Sequence, residues 1–534
     1  MTTPPAKSPH ASLLPELLLW CLPALLCGGV ARALLLAHFP YGYIHPDSPD
    51  FLVTADRFLN HHHFVLHGKK AFLGPILFLL PMLVKIPSAL VIPWAQHLFG
   101  LVYTVMVGAI VRSWTAFWKW WIIPATLLAS LNPAILYYEH AMISEFQYLW
   151  CVTALALAGT AFVLERTRGR FILLLLALLL TAGSRPEGKL YVLVALILVP
   201  LLFWGHWRRL ALFGGVTVAF CLLTWLSTRN TQAGMLLYAT LLPLAPETPK
   251  PAPDFGPLIA PLREARLATG ALAMPDLVIE EKKVMAVVYP YVKATQHTHK
   301  SAIEQNAGAL CQRLAVEAAL NKPLLLPLIV VDKFLLGTAL PSNDGFGKSW
   351  MQDTQVNSCT YKPWMLKLMP RLTGRPIYSM DDLVAYVQKE FAPLQPDWFS
   401  GLQRIWFCAT TQARIPLPGQ TGQTPGLPLF YVLGAAGAVA GLIRRGQRLT
   451  LDFSQVSSVD PSPVASMRKF HIAWLITLAF TGSVVMLTGV VNPRYRFVFE
   501  PFALLYVFVL ADFLVALVVL ISRRQPPVTP SPES

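Results

Sequence analysis

The chain has 534 residues, 55% of them hydrophobic and only 13% charged, with a mean hydropathy of +0.52 and a formal net charge of +15. A soluble domain carries about a quarter charged residues, so this composition argues against a soluble fold and for lipid as the main solvent. Nucleic acid would also suit the basicity, but the Lys and Arg residues fall at the ends of apolar runs rather than on one patch, so no nucleic-acid partner is expected.

In chain order the sequence predicts about ten membrane spans, each approaching the roughly 20 apolar residues that a bilayer core requires. The first covers Leu13 to Leu36, and a polar stretch follows from His38 to Lys70. An apolar run from Phe72 to Ile92 is interrupted by prolines and carries Lys85, which fits an interfacial or re-entrant segment. Further spans cover Pro93–Val111, Trp121–Tyr138, Phe146–Leu164, Phe171–Gly183, Leu190–Trp204 and Leu210–Ser227. Nearly 200 residues then lack a comparably clean span. Three more close the chain, at Leu427–Ile443, Phe470–Val490 and Phe499–Ile521.

Lys and Arg concentrate in cytoplasmic loops near helix ends. With Phe72–Ile92 kept out of the membrane, six basic clusters share one side: Arg112/Lys119, Arg166/Arg168/Arg170, Arg208/Arg209, Arg444/Arg445/Arg448, Arg468/Lys469 and Arg523/Arg524. Both termini are then cytoplasmic. The expected domains are an N-terminal transmembrane module (1–228), an extracytoplasmic, largely helical loop domain (229–426), C-terminal transmembrane helices (427–522) and a disordered tail (523–534).

This orientation gathers the informative polar residues on the outer face. Residues 43–58, YIHPDSPDFLVTADRF, put Asp47 and Asp50 just after the first span. Residues 132–147, NPAILYYEHAMISEFQ, carry Glu139, His140 and Glu145 at a helix–helix turn. Residues 181–189, TAGSRPEGK, carry Arg185, Glu187 and Lys189, and Arg494, Tyr495 and Arg496 stand at the lip of the last span. Ionisable groups at membrane depth are costly and usually have a partner or a task. Simpler roles exist for each: a solvated loop Asp, a helix N-cap at Ser144–Glu145, or arginines snorkelling to headgroups. Two acidic and two basic turns on one face favour chemistry.

Taken together, these motifs resemble the GT-C superfamily of membrane glycosyltransferases, especially bacterial relatives of protein O-mannosyltransferases and of the lipid A aminoarabinose transferase. The first-loop pattern P-D-S-x-x-[YF]-x-x-x-A is similar to Pro46-Asp47-Ser48-Pro49-Asp50-Phe51 with Ala55. Ser144-Glu145 resembles the family's second acidic position, Arg185-Pro186-Glu187-Gly188 its R-P-E-G turn, and Arg494-Tyr495-Arg496 its R-Y-R lip. The resemblance covers residues 10–230 and 425–520. It implies an all-α polytopic membrane protein with a GT-C-like bundle in a bacterial inner membrane, its active face extracytoplasmic.

By that resemblance a sugar moves, with inversion, from a polyprenyl-phosphate donor to a lipid, glycan or protein hydroxyl. Asp47 would act as base. Asp50 and Glu145 would assist it. Arg185, Lys189, Arg494 and Arg496 would bind the donor phosphate, with Glu139, His140, Glu187 and Tyr495 behind them. The cofactor stays open between none and a divalent Mg or Mn held by Asp47 and Glu145.

In the long outer segment, Ala302–Leu320 reads as an amphipathic helix and the apolar stretch after it as a surface helix, since Asp332, Lys333 and two prolines interrupt it. His61, His62 and His63, with His45 and His67, look like a zinc site. Three consecutive histidines on a helix point in different directions, however, and cannot share one ion. Cys21, Cys27, Cys151 and Cys221 lie in spans as small apolar residues, and Cys311, Cys359 and Cys408 leave room for one unassigned disulfide. No Walker loop or dinucleotide motif is present. The rival readings are a transporter or lipid flippase, which should bury charge near mid-bilayer, a polysaccharide polymerase or ligase, and a structural scaffold.

Overall fold

The structure, a computed structural model, describes residues 13–44, 48–61, 73–202, 214–215, 217, 231–268, 277–296, 300–339, 365–387, 396–415, 426–443, 461–488 and 497–524. Its regular elements there are helices and one pair of two-residue strands, Arg414–Ile415 against Leu427–Pro428. The first nine helices are α1 (Leu13–His38), α2 (Ser48–His61), α3 (Leu73–Leu83), α4 (Ser88–Trp114), α5 (Trp118–Ser130), α6 (Pro133–His140), α7 (Glu145–Leu164), α8 (Arg168–Ser184) and α9 (Gly188–Leu202). The middle of the chain gives α10 (Thr231–Leu241), α11 (Gly256–Ala268), α12 (Leu277–Gln296), α13 (Lys300–Asn321), α14 (Leu326–Ala339), α15 (Met365–Thr373), α16 (Met380–Tyr386) and α17 (Asp397–Phe407). The last three are α18 (Leu429–Ile443), α19 (Pro461–Thr488) and α20 (Glu500–Arg524).

This is an all-α membrane protein. Among the described residues five helices are long and apolar enough to cross a bilayer, or up to seven if each of two bent pairs makes one crossing. The five lie in α1, α4, α7, α19 and α20. Within the described residues α8, α9 and α18 have 17, 15 and 15 residues, short of the roughly 20 that a straight crossing takes. The expected span at Leu210–Ser227 lies outside the described residues except for Gly214, Gly215 and Thr217.

Local chemistry explains the breaks. Helices α5 and α6 form one bent pair, at 46°. Pro133 has no N–H to continue the α5 ladder, and Asn132 restarts the helix by accepting from the Ala134 (2.9 Å) and Ile135 (3.4 Å) amides. Helix α3 spans eleven residues, about 16 Å at 1.5 Å per residue. Lys85, at φ +56°, then turns the chain into α4. That helix begins at Ser88 and runs through Pro93, five residues upstream of the boundary expected at Pro93.

Antiparallel pairing of α1, α4, α5–α6, α7, α8 and α9 sorts the connections onto two ends. At one end lie the α4–α5 and α7–α8 turns with Arg112, Lys119, Arg168 and Arg170, where Glu16 pairs with Arg112 (3.6 Å) and Lys119 (3.5 Å). At the other end lie the α1–α2, α6–α7 and α8–α9 connections. Asp512 of α20 is fully buried and accepts from the Ala116 and Phe117 amides (both 2.8 Å) and from Trp121 Nε1 (3.1 Å), so it anchors the start of α5.

The core is double. One cluster joins α1–α9, α19 and α20, and it also takes in Met369, Leu372, Leu383 and Phe399 from α15–α17. A separate cluster, with Tyr238, Phe255, Val288, Leu314 and Ile329, is built by α10–α14. Lys333 of α14 is buried and bonds across the boundary. Its Nζ donates to Thr240 Oγ1 (3.0 Å) and to the Met486 carbonyl (2.7 Å) in the last turn of α19.

Candidate functional site

The site begins with a backbone arrangement. Pro93 cannot donate to the carbonyl four residues before it, Ala89, and the Gly42 amide takes that carbonyl instead at 2.7 Å. Gly42 must be small there, since a Cβ would sit 2.8 Å from Pro93 Cγ, 2.9 Å from Met142 Cγ and 3.1 Å from the His140 carbonyl. One residue on, Tyr43 N–H donates to His140 O (3.0 Å) and Met142 N–H to Tyr43 O (2.8 Å), a short parallel bridge between Tyr43 and Ala141. Residues 39–44 thus form a strap laid on the α6–α7 turn. The Gln96 amide, with its nitrogen toward the end of α6, reaches the carbonyls of Glu139 (2.9 Å), Tyr138 (3.1 Å) and Ala141 (3.3 Å).

Below the strap is a run of buried polar side chains. Arg32 of α1 gives Nη2 to Glu139 Oε1 at 2.6 Å, and Nη1 to the Gly28 carbonyl (3.0 Å), the Ser130 carbonyl (3.1 Å) and Ser130 Oγ (3.2 Å). Glu139 Oε2 meets His97 Nδ1 at 2.8 Å, His97 Nε2 meets His140 Nδ1 at 3.0 Å, and His140 Nε2 donates to the Tyr41 carbonyl at 3.0 Å. All four side chains are 3% exposed or less, so the pairing must be complete to be tolerated. Two glycines make the space. A Cβ on Gly100 would collide with the Glu139 carboxylate and Arg32, and one on Gly28 with Ser130 and Arg32.

The proton count in this run is fixed by its ends. The Tyr41 carbonyl only accepts, so His140 Nε2 carries hydrogen, and each of the two remaining contacts also needs one. Two neutral imidazoles and a carboxylate supply two hydrogens for three contacts. All three contacts are hydrogen bonds together only in a form that carries one hydrogen more than that.

A second cluster lies on the other side of the same turn. Arg185, which follows α8, sends Nη1 to Glu145 Oε1 at 2.6 Å, Nε to Glu187 Oε2 at 3.1 Å and Nη2 to Glu187 Oε1 at 3.3 Å. Its guanidinium also lies 5.8 Å from the centre of the Tyr148 ring. Burial alone would raise the Glu187 carboxyl. The charge and hydrogen bonds of Arg185 outweigh it and hold that group below the usual carboxylate value. Ser144 makes no side-chain capping bond at the start of α7, while Glu145 in its first turn both suits the helix N-terminus and pairs with Arg185.

The chain matches no family model, no curated protein and no solved structure. Function is therefore argued from the residues at this end of the bundle.

Of the residues expected there, Glu139 and His140 join the buried run, Glu145, Arg185 and Glu187 form the ion cluster, and Lys189 lies half-buried in the first turn of α9. Asp47, Arg494, Tyr495 and Arg496 lie outside the described residues, and Asp50 is described only as part of helix α2. Their neighbours are described: Ile44 and Ser48 are fully buried, and Glu500, which opens α20, accepts from Trp406 Nε1. His45, His62, His63, His67, Cys221 and Cys359 also lie outside the described residues, whereas Cys311 and Cys408 are free thiols. No group of three or more His, Cys, Asp and Glu side chains among the described residues is arranged for a metal.

Sequence reading missed Arg32, His97 and Asp512. Each lies within a mainly apolar helix, and an ionisable residue at membrane depth was the available signal. Their burial places ionisable groups inside the bundle as well as at its outer face.

Proposed function

We propose that this chain is a GT-C-like glycosyltransferase of about ten spans that uses a polyprenyl-phosphate sugar at the outer face of a bacterial inner membrane. One observation carries the reading. Three loops far apart in sequence meet at one end of the bundle, the strap bonded to the α6–α7 turn and that turn paired through Glu145 to Arg185. These are the loops that bear the acidic and basic motifs of the resemblance.

In this reading the Asp47 carboxylate takes the proton of the acceptor hydroxyl as its oxygen bonds to the sugar's anomeric carbon. The bond from that carbon to the phosphate oxygen breaks, and the electron pair leaves with polyprenyl phosphate, stabilised by Arg494, Arg496 and Lys189. Arg185 starts from a guanidinium engaged by two carboxylates, so a phosphate would have to compete with Glu145 and Glu187 for it. Asp50 and Glu145 orient the acceptor side, and if a divalent Mg or Mn takes part, Asp47 and Glu145 are the carboxylates that would hold it and it would supply charge for the departing phosphate.

A transporter or flippase is the second reading, favoured by the Arg32–Glu139–His97 charges inside apolar helices. Mass spectrometry of polyprenyl-phosphate sugars in cells lacking the protein, complemented with wild type or Asp47→Asn, separates the two. A donor that accumulates in the deletion, falls with wild type and stays high with Asp47→Asn supports transfer. Equal rescue by both versions removes Asp47 as base and favours transport.

A further inference from the structure

We infer that His97 and His140 are positioning residues that lock the 39–44 strap onto the α6–α7 turn through a proton-bearing run of hydrogen bonds, and so set the outer site for reaction. The role in reaction rests on the glycosyltransferase reading; the locking of the strap does not. The strap is bonded to α4 through Gly42 and Ala89, and to the end of α6 through Tyr43 and Met142. The Tyr41–Gly42 peptide unit is held on both edges, its N–H by the Ala89 carbonyl and its carbonyl by His140 Nε2. His140 in turn is oriented by His97, and His97 by Glu139, which Arg32 anchors to α1. Side chains from three helices therefore support one edge of a loop peptide. The aromatic rings of Phe39 and Tyr43 pack against His140 at 6.0 and 4.6 Å between centroids, so the imidazole also touches the strap through its ring face.

The run differs from inert packing in its proton requirement. The groups facing it are Arg32 from α1, His97 and Tyr103 from α4, Glu139 and His140 with Tyr137 nearby from α6, and Tyr43 from the strap, with Glu500 of α20 acting on Tyr103. Removing the third proton leaves a bare imidazole nitrogen 2.8 Å from a carboxylate oxygen, two acceptors facing each other. His97→Gln keeps a donor toward His140 Nδ1, abolishes the proton-requiring contact and leaves Glu139 paired with Arg32.

The test uses the purified full chain in lipid nanodiscs and two readouts. Hydrogen–deuterium exchange is followed for the Gly42 and Tyr43 amides, with the Ala116 and Phe117 amides, bonded to Asp512 at the other end, as internal control. His140→Ala speeds exchange in the strap roughly 10-fold or more while the control is unchanged, and His140→Gln, which restores a donor near the Nε2 position, returns it toward wild type. Transfer from a synthetic polyprenyl-phosphate sugar then gives kcat lowered roughly 10- to 100-fold with donor KM unchanged in His140→Ala, the scale expected of a small misplacement. His97→Gln, which keeps a donor toward His140 Nδ1, leaves strap exchange closer to wild type than His140→Ala does. Unchanged strap exchange in His140→Ala, or exchange raised equally at the control amides, overturns the positioning role. Strap loosening without any transfer by wild type upholds the lock and instead removes the glycosyltransferase reading, as does full transfer activity in Asp47→Asn for its proposed base.

Discussion

Arg32 carries a permanent charge inside an apolar bundle, and Glu139 is the group that makes it tolerable. Breaking a buried pair by deleting one partner costs about 3–5 kcal/mol, because the other charge is left uncompensated. Glu139→Ala is therefore expected to destabilise the chain by about that amount in denaturant unfolding followed by tryptophan fluorescence. The adjacent glycines give an independent check. Gly100→Ala pushes a methyl group into the same carboxylate and is expected to cost about 1–3 kcal/mol, whereas Gly29→Ala, whose added carbon meets nothing within 4 Å, should be neutral. Equal effects at Gly29 and Gly100 would mean that the close approach of the Glu139 carboxylate to Gly100 does not set the cost. Glu187 responds to pH in a different way. Arg185 holds its folded-state carboxyl below the unfolded value, so its contribution is present above the ordinary carboxylate range and is lost as pH falls through the folded value. The stability gap between wild type and Glu187→Gln should be flat near neutrality and close in acid; a gap that widened in acid would refute the assignment.

At the scale of elements, one proline shows what the sequence could and could not reveal. Proline read as a helix breaker sets the start of a span at Pro93, yet α4 passes through it because the carbonyl it strands, Ala89, is taken up by Gly42. That partner lies 47 residues upstream, beyond any local pattern. Pro93→Ala should return an N–H that competes for Ala89, loosening the strap in exchange measurements while global stability changes by less than about 1 kcal/mol. If strap exchange stayed at the wild-type rate, Gly42 would not depend on the freed carbonyl. Apolar length, in contrast, was legible: the cores of α1, α4, α7, α19 and α20 all show in the hydropathy. The buried run was only half legible. Glu139 and His140 stand out at a turn, but Arg32 and His97 lie 107 and 42 residues away from Glu139, so only folding reveals the pairing. Helix α18 also hides its packing. Gly434 faces Ala503, and a Cβ on Gly437 would collide with the Tyr506 carbonyl, so α18 and α20 approach at glycine distance.

At the scale of the whole molecule, the two ends of the bundle differ in chemistry, and that difference is what orientation must explain. One end holds Arg112, Lys119, Arg168 and Arg170 close to helix termini, the pattern of a cytoplasmic face. The other holds the strap and the cluster of Arg185 with Glu145 and Glu187, where carboxylates outnumber the guanidinium two to one. Cysteine labelling can decide between the two orientations without any assay of activity. With the seven native cysteines replaced, Gly169→Cys reports the α7–α8 turn, where an added side chain meets nothing within 4 Å. Tyr378→Cys reports the connection between α15 and α16 from a position that is 82% exposed. A membrane-impermeant maleimide applied to intact cells is expected to label Tyr378→Cys at once and Gly169→Cys only after the membrane is opened. The reverse pattern would turn the polar end toward the cytoplasm, where an extracytoplasmic lipid-linked donor could not reach it. Labelling of both positions from one side would require an even number of crossings between residues 169 and 378, and the ten-span topology would fall with it.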